Sequence, residues 1–149
     1  MKTLFPSYRV SDMDRSLEFY SRLGYQCLGT VALGGGSSLA MLQFPEEPAV
    51  SLELVHHPGR EAVRPGGFDH LAVQVEDLAA TLESLTRKGL RPGPLEWPAG
   101  EAGPRIAFLA DPDGYRIELG QWPDGHPQGI TAADFSDAQT EPRPTTEPT

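Results

Sequence analysis

Ala110-Asp111-Pro112-Asp113-Gly114-Tyr115-Arg116-Ile117-Glu118-Leu119-Gly120-Gln121-Trp122 reads as a tight turn feeding a strand with two unlike faces. Pro112 presets the dihedral of the first central turn position, and Gly114 tolerates the positive φ that closes a hairpin. Apolar-rich runs flank the turn, Arg105–Ala110 before it and Tyr115–Gln121 after it, so the segment is a predicted β-hairpin. Strand side chains alternate, which sends Ile117 and Leu119 one way and Arg116, Glu118 and Gly120 the other. A carboxylate at the centre of a strand otherwise suited to packing is the first hint of a site.

The same strand occurs twice. When the chain is shifted against itself by 65 residues, Leu52-Glu53-Leu54 falls on Ile117-Glu118-Leu119. In the same register Val10 falls on Val75, Asp12 on Asp77, Leu17-Glu18 on Leu82-Glu83, Arg22 on Arg87 and Gly24 on Gly89. No gap is needed, and the plain meaning is two copies of one supersecondary unit. Each copy opens with a strand (Leu4–Val10; Phe68–Val75) and an Asp placed to cap a helix, Asp12 or Asp77. Met13, Leu17, Phe19-Tyr20 and Leu23 form one apolar helical stripe, and Leu78, Leu82 and Leu85 form the other. Gly24 and Gly89 end the helices.

Three more strands complete each copy: about Tyr25–Leu33, Ser38–Phe44 and Val50–His56, then Leu90–Trp97, Arg105–Ala110 and Tyr115–Gln121. Gly34-Gly35-Gly36 hinges a hairpin, and with no helix or Lys-Ser/Thr behind it is no phosphate loop. Pro92, Pro94 and Pro98 cannot donate to a ladder, so the Leu90–Trp97 strand is expected to be short or at an edge. The fold class is α+β, strand-helix-strand-strand-strand repeated in tandem. The paired units span 1–122, as modules of about 1–58 and 66–122, followed by a tail over 123–149.

At 149 residues the chain can bury a core without staples. The single cysteine, Cys27, excludes an intramolecular disulfide, fits a reducing compartment and is expected to pack rather than react. No apolar run suits a signal peptide or a membrane span, so the expectation is a cytoplasmic protein with no membrane partner. A net charge of −9 argues against nucleic acid. The tail holds Asp124, Asp134, Asp137, Glu141 and Glu147 against Arg143 alone, and its Pro-Thr-Glu end is expected to stay flexible, with Ile130 and Phe135 as its only apolar anchors.

The 65-residue register makes Glu53 and Glu118 equivalent, and places His70 where the first copy has Phe5. Two units related by a pseudo-twofold would gather Phe5, Glu53, His70 and Glu118 in one hollow. Parity supports a shared face. Ser7 and Arg9 accompany Phe5, Ala72 and Gln74 accompany His70, Ser51, Val55 and His57 accompany Glu53, and Arg116, Gly120 and Trp122 accompany Glu118. The opposite face is apolar and would pack on the helices. A solvated sheet face needs no function. Yet imidazole with carboxylates is a common ligand set for a divalent cation. His56 faces away from Glu53, and His126 lies among Pro123, Gly125 and Pro127 in the tail.

The units opened by Phe68-Asp69-His70-Leu71-Ala72-Val73 and closed by Asp111-Pro112-Asp113-Gly114-Tyr115-Arg116-Ile117-Glu118-Leu119 resemble the vicinal oxygen chelate superfamily, in the flavour of glyoxalase I (lactoylglutathione lyase). Arg9-Val10-Ser11-Asp12, Ser16-Leu17-Glu18-Phe19-Tyr20 and Leu23-Gly24-Tyr25 agree in the first unit, and the likeness covers about residues 3–122. It implies a curved, half-barrel-like mixed sheet with helices on its outer face, and a homodimer. The family's four ligand positions map onto Phe5, Glu53, His70 and Glu118, and Phe5 cannot coordinate. The three that remain suit a hard divalent ion (Ni, Zn, Co, Mn or Mg). Extradiol dioxygenases and fosfomycin-inactivating enzymes of this fold need the first-strand histidine, so Phe5 argues against those activities. Arg9 matches a family arginine that holds the glutathione part of the substrate, and His57 departs from a family asparagine.

What the resemblance implies is a proton moved next to the carbonyl of a small substrate through a metal-stabilised enediolate, by Glu118 first and Glu53 second. Phe5, Arg9, His57, Gln74 and Trp122 would line the substrate. The alternative is a metal-free, bleomycin-resistance-like binder in which Phe5 and Trp122 stack on a ligand.

Overall fold

The computed structural model describes residues 4–61, 63–98 and 100–124. The tail beyond residue 124, with His126, Ile130 and Phe135, lies outside the described residues. No described helix is long and apolar enough to cross a membrane.

Among the described residues, ten elements fall into two similar halves. The first holds β1 (Ser7–Val10), α1 (Met13–Leu23), β2 (Gln26–Ala32), a 3₁₀ turn over Gly34–Gly36, β3 (Ser38–Gln43) and β4 (Leu52–His56). The second holds β5 (Leu71–Gln74), α2 (Leu78–Arg87), β6 (Arg105–Ala110) and β7 (Arg116–Gln121). β1-β4-β3-β2 form one mixed sheet and β5-β7-β6 the other. The internal repeat survives in the pairing: β1 runs parallel to β4 with Ser7 opposite Glu53, and β5 runs parallel to β7 with Ala72 opposite Glu118.

The helices begin where side-chain acceptors are supplied. Asp12 accepts from the Arg15 N–H at 3.0 Å, and Asp77 from the Ala80 N–H at 2.9 Å, each satisfying a donor the first turn leaves unpaired. Gly24 ends α1 at φ +124°, a conformation unfavourable for residues with a Cβ.

The fourth strand expected in the second half, Leu90–Trp97, is reduced to a single bridge between Glu96 and Ile106. Gly93 N–H donates to Phe108 O at 2.7 Å and Glu96 N–H to Ile106 O at 2.8 Å. The intervening prolines have no N–H to offer, so a continuous ladder cannot form. The opening strands are shorter than expected, since β1 starts at Ser7 and β5 at Leu71. Phe5 and His70 therefore sit in the segments entering the strands.

The buried set is continuous across both halves and includes Tyr8, Val10, Tyr20, Leu42, Leu52 and Leu54 from the first and Leu78, Leu85, Ala107, Ile117 and Leu119 from the second. All four tyrosines of the chain, Tyr8, Tyr20, Tyr25 and Tyr115, belong to this core or pack against it. Tyr8 stacks on Tyr115 with centroids 4.5 Å apart, and Phe68 meets both rings edge-on. The Asp111–Gly114 turn is the polar part of the junction. Asp113 accepts from the Ser11 N–H at 3.0 Å and from Arg15 at 3.3 Å, and Tyr115 Oη donates to Arg9 O at 3.1 Å. Asp111, buried, accepts from Tyr20 Oη at 3.0 Å and from the N–H groups of Asp113 and Tyr115 at 2.9 Å. Burial raises the Asp111 carboxyl above its ordinary range, against these hydrogen bonds, and burial also pushes the Tyr25 phenol up to about 12.

β2 departs most from expectation. It is exposed along its whole length, leaving Leu28 and Val31 in solvent and Cys27 exposed rather than packed.

Candidate functional site

His70 and Glu118 come together on one face of the second sheet. His70 enters β5, Glu118 lies at the centre of β7 opposite Ala72, and His70 Nε2 stands 3.6 Å from Glu118 Oε2. Both side chains are partly buried, at 31% and 23% exposure. Asp69 Oδ2 lies 2.6 Å from His70 Nδ1. That hydrogen bond holds the Asp69 carboxyl below its ordinary 3.8, against a desolvation effect, with the charges of His70 and Arg116 adding to the lowering. A carboxylate partner at Nδ1 favours the tautomer whose lone pair is on Nε2, the nitrogen facing Glu118.

The pair opens into a cleft of about 550 Å³ lined by Gln74, Pro98, Pro104, Ile106, Gly120 and Trp122 besides His70 and Glu118 themselves. Gln74 and Trp122 thus stand where parity puts them. The face is less polar than the sequence reading expects. β6 adds Ile106 and Phe108, which lie opposite Gly120 and Glu118 in the ladder and so share their face. In the first sheet β3 does the same with Leu39 and Met41, opposite Val55 and Glu53. Parity on the strands carrying acids and histidines does not reach these apolar contributors, because they lie on the neighbouring strands. The period-two pattern of β3 and β6 was the signal that could have found them.

Glu53 is differently placed. It lies on the first sheet and accepts a hydrogen bond from Ser7 Oγ at 2.6 Å. Among the described residues no three His, Cys, Asp or Glu side chains converge to hold an ion. The expectation that Phe5, Glu53, His70 and Glu118 share one hollow is therefore not met within a single chain. The physical reason lies in the junction. Tyr8, on the face of β1 opposite Ser7, packs on Tyr115 and Phe68, so the buried face of the first sheet is turned towards the second half. Ser7 and Glu53 lie on the other face of that sheet.

The other expected lining residues have local partners. Arg9 Nη1 donates to Glu61 O at 2.9 Å, tying β1 to the segment between the halves. His57 Nδ1 lies 2.9 Å from Ser37 Oγ at the end of the β3–β4 ladder. Phe5 is partly buried ahead of β1. In donor chemistry, His70 and Glu118 fit two corners of a divalent cation's shell, one neutral nitrogen and one anionic oxygen. Among the described residues no third His, Cys, Asp or Glu joins them in a group that could hold an ion.

Comparison with known proteins bears on the family and the fold. The family model described as Glyoxalase/Bleomycin resistance protein/Dioxygenase superfamily matches residues 4–119. A probable lactoylglutathione lyase of Synechocystis sp. is 36% identical over 127 residues, covering 80% of this chain and 94% of the relative. A probable chloroplastic lactoylglutathione lyase of Arabidopsis thaliana is 36% identical over 124 residues, and there the match spans only 33% of the relative's length. Among solved structures, the trypanothione-dependent glyoxalase I of Leishmania major superposes with a TM-score of 0.65 at 30% identity, covering 81% of this chain and 86% of that one.

Proposed function

The chain belongs to the Glyoxalase/Bleomycin resistance protein/Dioxygenase superfamily, and from that premise we propose that it is a glyoxalase I-type lyase acting on a small carbonyl adduct of a thiol. The observation that carries this reading is the His70–Glu118 pair, 3.6 Å apart at the head of a largely apolar cleft. His70 and Glu118 would hold a divalent metal together with Glu53. A cation bound there supplies Lewis-acid polarisation of the substrate's carbonyl oxygen. Glu118 removes the proton from the carbon next to that carbonyl and returns one to the neighbouring carbon, with Glu53 as the second choice of base. Trp122, Ile106 and the prolines of the cleft exclude water from the reacting carbon, while Phe5 adds an aromatic wall in place of a donor.

Because Glu53 and the His70–Glu118 pair occupy separate sheets, the complete site takes its first-half residues from one copy and its second-half residues from another. Three features support a homodimer: β1 and β5 end their sheets, β2 exposes Leu28 and Val31, and among the described residues no three donors converge within one chain. The test is to titrate purified protein with Ni²⁺, Zn²⁺, Co²⁺ and Mn²⁺, and to follow thioester formation from a hemithioacetal with each metal. About one ion per site with metal-dependent turnover is expected. Less than one ion per site for all four metals would overturn the metal reading, and tight ligand binding without turnover would favour a sequestering protein.

A further inference from the structure

Four side chains of the second half close a ring around the His70 imidazole. Asp69 Oδ2 takes Nδ1 at 2.6 Å. Arg116 Nη1 stands 3.8 Å from the other Asp69 oxygen, Oδ1. The same guanidinium lies over the Phe108 ring, 4.2 Å from its centroid, and that ring meets His70 edge to face at 5.7 Å. One imidazole nitrogen remains, Nε2, and it faces Glu118.

A neutral imidazole carries one N–H and one lone pair, and in water the two tautomers interchange. An anionic acceptor at Nδ1 draws the hydrogen there and leaves the lone pair on Nε2. Asp69 by itself is a weak device, since its side chain is 80% exposed and free to turn. Arg116, over the Phe108 ring, opposes that turning by attracting the second carboxylate oxygen from the strand that also carries Glu118.

We propose that Asp69, steadied by Arg116, is a positioning residue that fixes His70 in the Nδ1–H tautomer and so aims the Nε2 lone pair at the point it shares with Glu118. This rests on the reading of His70 and Glu118 as ligands of one cation. Neither Asp69 nor Arg116 lines the cleft. Their effect passes through the orientation and basicity of His70, as outer-shell partners of a ligating histidine do.

Two measurements on the full chain separate this proposal from the reading beneath it. Long-range ¹H–¹⁵N spectra of the metal-free protein, recorded above the imidazole titration, report the His70 tautomer directly. The Nδ1–H form is expected in the native protein. It should persist in Asp69→Asn, whose amide oxygen can still accept, and give way to a mixture in Asp69→Ala. Zn²⁺ competition titrations should then show affinity about tenfold weaker in Asp69→Ala and intermediate in Arg116→Gln. An unchanged tautomer in Asp69→Ala, or an Nε2–H ring in the native protein, overturns the positioning role whether or not metal binds. Native protein that binds no Zn²⁺ overturns the ligand reading, and with it the aim at a shared ion, while the spectra still decide what Asp69 does to the ring.

Discussion

The two halves place a glutamate at equivalent points of equivalent strands and surround it differently. In the first, Glu53 sits opposite Ser7 and accepts a hydrogen bond from its hydroxyl at 2.6 Å, with Met41 as its neighbour on the other side. In the second, Glu118 sits opposite Ala72, which has nothing to donate, with Phe108 on its other side and the His70 imidazole facing it. One carboxylate is satisfied by its own sheet, while the other is kept for an imidazole and whatever binds between them. Duplication reproduces a backbone register, and function follows from which neighbour stands across the ladder.

The largest expected effect tests that asymmetry. Glu118→Gln should lower kcat by about 10²–10⁴, the usual contribution of a positioned acid–base group, with Glu53→Gln costing less. Steady-state kinetics of both variants with saturating metal would check it. A larger loss in Glu53→Gln would reverse the assignment of the base.

Next come the shared features of the halves. Leu54 and Leu119 are equivalent in the repeat and both buried. Each Leu→Ala substitution should cost about 2–5 kcal/mol of unfolding free energy. Because one core spans both halves, each should shift a single cooperative urea transition. Two separated transitions would show that the halves unfold independently.

The junction gives a smaller, pH-dependent signal. Tyr20→Phe removes a donor from the buried Asp111 carboxylate and should cost about 1–3 kcal/mol at neutral pH. The Asp111 carboxyl is raised in the folded state, so the folded protein binds more protons than the unfolded chain from about its ordinary 3.8 upward. Its contribution to stability is therefore largest below that value and declines as pH rises through the raised folded pKa. Asp111→Asn should lack this decline, which chemical denaturation across the acidic range would reveal. Smallest of all, Ser7→Ala should change stability by about 0.5–1.5 kcal/mol at most, and should leave His70 and Glu118 untouched.

The pairing of His70 with Glu118 was legible because both lie in one half, His70 immediately ahead of β5 and Glu118 on β7, the parallel strand beside it. The fate of Glu53 was not. It depends on how the halves meet, and that is settled by contacts such as Tyr20 to Asp111, 91 residues apart, and Tyr115 to Arg9, 106 apart. No periodicity reports such contacts. The role of Asp69 is not legible either, although it adjoins His70, because the order of residues does not show that its two oxygens lie beside Nδ1 and Arg116.

What the sequence by itself determined was local: the strand–helix–strand–strand–strand order, the faces of each strand, the helix caps and the proline-broken edge. These follow from backbone sterics and the alternation of apolar residues over a few positions. Only the tertiary structure decided which faces of the two sheets meet. A buried tyrosine cluster and the aspartates of one turn fasten the apolar sides together, and the two glutamates are left on different sheets. Burial of those rings and carboxylates is a property of the assembled core, so no stretch of the chain could announce it alone.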